Sequence, residues 1–110
     1  MKKINILKNN RDFNRIIDTY KANKYKDFVI YIERTNDELY HFGISVGKKI
    51  GNAVTRNKYK RRIRAIIDKK TYQKGINCII ILRKSILDRD YIEIENSLLK
   101  AFKDLKITKE

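Results

Sequence analysis

With 110 residues, 42% of them hydrophobic, the chain has the size and the core material of one compact domain over residues 1–110, which excludes global disorder. Lysine plus arginine outnumber aspartate plus glutamate by 27 to 13, and the net charge of +14 selects polyanions as partners, nucleic acid before an anionic membrane surface. The lone Cys78 excludes an internal disulfide or a thiolate zinc cluster, and no segment nears the roughly 20 apolar residues of a membrane span or shows the apolar run of a secretion signal, so a cytoplasmic protein is expected.

The stretch NNRDFNRIIDTY opens the first element. Asn10 is placed to cap it, and Asp12 in the first turn complements the positive helix end. Phe13, Ile16, Ile17 and Tyr20 recur at helical spacing on one face. ANKYKD reads as a polar loop. DFVIYIER alternates as a strand, with Phe28, Ile30 and Ile32 on one side and Val29, Tyr31 and Glu33 on the other. After the turn TND, ELYHFGISV alternates again: Tyr40, Phe42, Ile44 and Val46 against Leu39, His41, Gly43 and Ser45. The short turn predicts that these two strands form an antiparallel hairpin.

GKKIGN is a glycine-punctuated loop, and Asn52 is placed to cap a helix from Ala53 to about Lys70, with Tyr59, Ile63, Ile66 and Ile67 as its apolar stripe. INCIIILRK is nearly all apolar, as a strand buried on both faces should be. SILDRD reads as a loop. Asp90 with Glu93 forms a capping-box pattern before a last amphipathic helix carrying Tyr91, Ile94, Leu98, Phe102 and Leu105. The order α-β-β-α-β-α predicts an α/β (α+β) two-layer sandwich of helices on a small mixed sheet.

The densest chemistry lies in GKKIGNAVTRNKYKRRIRAI at 47–66. On a helical wheel Asn57, Arg61 and Arg64 align, with Lys60 at the edge, facing away from the isoleucine stripe. No acid interrupts the segment from Lys48 to Arg64, whereas an ordinary solvated helix mixes in glutamate for pairing one turn apart. Such a comb of cations suits phosphates, and arginine's planar fork suits them better than a point charge does. Phe13 and Tyr31 either stack on single-stranded bases or belong to the core. His41 is the sole histidine, which excludes a two-histidine metal site, and the carboxylates form no pair suited to two-metal chemistry. No protein-borne catalytic or metal site is expected.

The segment GISVGKKIGNAVTRNKYKRRIR, with Arg56-Asn57 at its centre and Lys60, Arg61 and Arg64 following, resembles the signature of the bacterial ribonuclease P protein component. NNRDFNRII resembles that family's first helix, FVIY its first strand and IIILRK its last strand with a basic pair, so the resemblance covers most of residues 7–104. It implies a left-handed crossover from 40–46 through the basic helix to 76–82, against the usual right-handed rule. It also implies a non-catalytic protein subunit of an endoribonuclease, one per catalytic RNA. The RNA and its Mg²⁺ hydrolyse the phosphodiester that joins the 5′ leader to precursor tRNA.

Carried over position by position, the resemblance implies that Arg56, Asn57, Lys60, Arg61 and Arg64 contact the catalytic RNA. It implies that Phe13, Ile17, Tyr31, Ser45, Lys48, Lys49 and Arg83 hold the single-stranded leader. Ile17 departs from the family, which often has an aromatic there, and Ser85 stands where proline often follows the basic pair. Neither DNA nor a membrane is an expected partner. The alternative is a basic structural protein of another ribonucleoprotein, such as a ribosomal protein, in which Phe13 and Tyr31 would be core.

Overall fold

The structure, a computed structural model, describes residues 1–109. Three helices and four strands follow in chain order: α1 (Asn10–Thr19), β1 (Asn23–Lys24), β2 (Phe28–Arg34), β3 (His41–Ser45), α2 (Ala53–Ile67), β4 (Ile76–Leu82) and α3 (Tyr91–Asp104). Short 3₁₀ turns lie at Lys3–Asn5, Lys48–Ile50 and Lys84–Asp88, the last inside the stretch expected to be a loop.

Capping sets the helix starts. Asn9, one residue before the expected Asn10, caps α1 by accepting from the Arg11 amide at 2.8 Å. Asn52 caps α2 as expected, accepting from Thr55 at 3.0 Å. The capping box before α3 is complete: Glu93 N–H donates to Asp90 at 2.8 Å, and Asp90 N–H donates to Glu93 at 3.1 Å.

The sheet is mixed, as expected, but its strand order is β1-β2-β4-β3. The expected hairpin of β2 and β3 is therefore absent. β4 lies between them, antiparallel to β2 from Phe28↔Leu82 to Arg34↔Ile76 and parallel to β3 from His41↔Asn77 to Ser45↔Ile81. The reason is burial. INCIIIL is the most apolar strand in the chain, and only the centre of the sheet covers both its faces. β1, in the segment read as a loop, adds a two-residue edge to β2. β3, α2 and β4 form a parallel crossover between neighbouring strands.

One sheet face carries the main core. Phe28 and Ile30 of β2, Cys78, Ile80 and Leu82 of β4, and Phe42 of β3 meet Tyr59, Ile63 and Ile66 of α2 and Ile94, Leu98 and Phe102 of α3. Phe42, Tyr72 and Phe102 form a cluster of edge-on and tilted rings 4.7–5.7 Å apart. Each fully buried isoleucine here stabilises the fold by about 1.5–3 kcal/mol. α1 lies against the opposite face, with Ile16 its one fully buried side chain.

Candidate nucleic-acid interface

α2 separates its two jobs by face. Tyr59, Ile63, Ile66 and Ile67 are buried, while Asn57, Lys58 and Arg61 are exposed and Arg56, Lys60, Arg62 and Arg64 are half-buried. The first turn holds no acid, so nothing there offsets the positive end of the helix or the arginines beside it. Among the described residues none of these cations is paired with a carboxylate, although Arg62 lies 5.6 Å from the centre of the Tyr59 ring. The Nε atoms of Arg56 and Arg64 are buried without a hydrogen-bond partner.

The sheet face under α1 is organised in three rows across β2, β4 and β3, set by strand register: Glu33–Asn77–His41, Tyr31–Ile79–Gly43 and Val29–Ile81–Ser45. α1 covers the first two. Its Phe13 ring lies directly on Gly43, where an added Cβ would come within 2.4 Å of the ring. The glycine is required by close approach, not by backbone conformation. The third row is only half-buried.

Two grooves adjoin at Ser45. One, of about 720 Å³, runs between the amino-terminal segment, α1, β3 and α2, and is lined by Phe13, Ile17, Ser45, Lys60 and Arg64 among others. The other, of about 790 Å³, is lined by Ser45, Lys48, Lys49, Ile81, Arg83 and Lys84 among others. Together they make a path with an apolar floor and a cationic rim. Such a path suits single-stranded nucleic acid, whose bases stack while its phosphates seek charge.

The model of the family described as Ribonuclease P matches residues 1–106 of the chain. The chain belongs to the ribonuclease P protein family. Ribonuclease P protein components from Mycoplasma mycoides and Streptococcus gordonii are 41% and 39% identical to it. They span 96% and 100% of this chain and 100% and 93% of their own lengths. The Staphylococcus aureus RNase P protein superposes with a TM-score of 0.85 at 34% identity, covering 96% of this chain and 98% of its own. The Thermotoga maritima RNase P protein gives 0.80 at 29% identity over 89% and 94%.

Within this ribonuclease P protein, the residues singled out from sequence fall into three places. Phe13 and Ile17 share a groove with Lys60 and Arg64, which the sequence reading had assigned to a different RNA. Lys48, Lys49 and Arg83 line the second groove, with Ser45 common to both. Arg56, Asn57 and Arg61 lie along α2 outside both grooves, as does half-buried Tyr31 on β2 in the row covered by α1. Neither Phe13 nor Tyr31 belongs to the main core cluster. Arg83 is tethered by donating to the Tyr25 carbonyl at 3.1 Å.

The sequence reading missed a polar network at the back of this face. Arg15 grips Glu33 with both terminal nitrogens, Nη1 to Oε2 and Nη2 to Oε1, the second at 3.0 Å. Asn77 Nδ2 donates to Glu33 Oε1 at 2.9 Å. The Asn77 oxygen is thus left as the acceptor facing His41 Nδ1 at 2.8 Å, which places the imidazole proton on Nδ1. The signal was present in part, since Glu33 alternates onto the α1 face, but its partners depend on strand order.

The Arg15 guanidinium, helped by Asn77, holds the Glu33 carboxyl at about 2, below its ordinary 4.5. A carboxyl lowered on folding contributes stability that is present above its unfolded value and is lost as pH falls toward its folded one. Glu33→Gln should therefore be destabilised at neutral pH by at most about 3 kcal/mol, less the screening that half-exposed Arg15 allows. Its deficit should vanish as pH falls from about 4.5 to about 2. Denaturant titrations of both proteins through that window check this; parallel stability curves would refute it.

Proposed function

We propose that the chain is the RNA-binding cofactor of a ribozyme. In this reading it joins one catalytic ribonuclease P RNA through α2 and holds the 5′ leader of precursor tRNA along the two grooves. The observation that carries the reading is the meeting of those grooves at Ser45, with Phe13 seated on Gly43 at one end and Lys48, Lys49 and Arg83 at the other. Arg56 and Arg64 supply donors that phosphate oxygens would satisfy, and Arg61 and Asn57 extend the same contact along the exposed helix.

Binding two RNAs at once is the step that needs help. Each RNA brings a backbone of phosphates, and the +14 charge lowers their mutual repulsion. Hydrolysis and Mg²⁺ belong to the RNA in this reading. Among the described residues no three His, Cys, Asp or Glu side chains are grouped to hold a metal ion, so no step is routed through one held by the protein. No helix among those residues is long and apolar enough to cross a membrane, and the cytoplasm is the proposed site of action.

The test is cleavage of precursor tRNA at low Mg²⁺ by bacterial ribonuclease P RNA alone, by the protein alone and by both. Cleavage at the mature 5′ end that requires both supports the cofactor reading. No gain from folded protein with active RNA would return the chain to the class of general ribonucleoprotein components.

A further inference from the structure

α1 is thinly docked for an element that positions Phe13. Ile16 is its one fully buried side chain. What fixes the helix more narrowly is Arg15, two residues beyond Phe13, gripping a Glu33 that is only 5% exposed. A planar fork on a carboxylate fixes both distance and angle, which an apolar contact does not. The carboxylate is itself held by Asn77, and Asn77 by His41, so the anchor spans all three long strands. A buried ion pair adds little net stability over apolar side chains of similar size, so its presence points to geometry.

We propose that the Arg15–Glu33 pair, anchored by Asn77 and His41, is a positioning device that seats the Phe13 ring on Gly43 and so shapes the leader groove. This rests on the leader reading given above. Arg15 and Glu33 need touch no RNA. They act through Phe13, whose place on the sheet decides whether a base can stack beside it.

The test uses two variants of the full chain. Glu33→Gln keeps an acceptor for Asn77 but weakens the fork. Arg15→Met/Glu33→Gln replaces the fork with an uncharged contact. Each is examined free, by the ring-current shift of the Gly43 Hα protons beneath Phe13. Each is also examined with ribonuclease P RNA, by affinity for precursor and for mature tRNA, with Phe13→Ala in parallel. In both folded variants the Gly43 shift should collapse toward its Phe13→Ala value. Preference for precursor should fall roughly tenfold, as a displaced contact predicts, with affinity for the catalytic RNA unchanged.

An intact Gly43 shift in the double variant would overturn the proposal and leave the pair a structural one. A lost shift with precursor preference retained would also overturn it if Phe13→Ala abolishes that preference. If Phe13→Ala keeps the preference too, the leader reading fails, while the seating of Phe13 by the pair stands.

Discussion

Replacing Arg61 and Arg64 together with alanine lowers affinity for ribonuclease P RNA by roughly ten- to hundredfold, since each charged hydrogen bond is worth about 1.5–3 kcal/mol before screening. It also flattens the dependence of log affinity on log salt by about 1.4–1.8 units, close to one per phosphate released from counterions. The fold tolerates the change because the buried face of α2 is made by Tyr59, Ile63, Ile66 and Ile67. Arg61 is exposed, and Arg64 brings a buried Nε with no protein partner. Lysine at both positions should restore most of the slope but less of the affinity, because charge returns without the fork. Filter binding across a salt titration reads both quantities. An unchanged slope would mean that neither side chain meets a phosphate.

Gly43→Ala places a methyl group 2.4–2.5 Å from two atoms of the Phe13 ring, so the ring must leave its seat. The expected cost is about 1–3 kcal/mol of stability, as for other overpacked sites. Phe13→Ala removes the ring and should weaken precursor binding by roughly five- to hundredfold, equivalent to about 1–3 kcal/mol for a stacked base, with little change for mature tRNA. The double variant decides whether the two effects are one. With the ring gone, the Gly43 methyl has room, so Phe13→Ala/Gly43→Ala should be about as stable as Phe13→Ala alone. Urea unfolding and paired binding measurements check this. Additive losses of stability would show that the methyl collides with something other than Phe13.

Local rules made much of this legible in the sequence. Asn52, Asp90 and Glu93 announced two helix starts because caps act within one turn, and the isoleucine stripe of α2 separated its buried face from its cations. The hairpin failed for a physical reason. The short TND turn argues for pairing β2 with β3, yet turn length says nothing about a strand that arrives later and fits better between them. The uninterrupted apolar run of β4 was the available hint, since a strand covered on both faces belongs at the centre. The same error hid the Arg15–Glu33–Asn77–His41 network, which exists only once Asn77 stands between Glu33 and His41. Sequence could name Phe13 and Lys60 as site candidates. It could not say that they share a groove, because that follows from how α1 and α2 flank β3.

The central place of β4 also governs when this molecule can exist. Phe28 finds its partner in Leu82, roughly half the chain later. Until the segment Ile76–Leu82 has left the ribosome, β2 has only the two residues of β1 beside it and β3 has no strand at all. α2 is synthesised earlier, so its arginines are present before the sheet that holds them in line. Closing so long a loop slows folding more than it weakens the finished domain. A nascent or truncated chain that stops short of Ile76 is therefore an unfolded polycation, able to cling to RNA but not to read its shape.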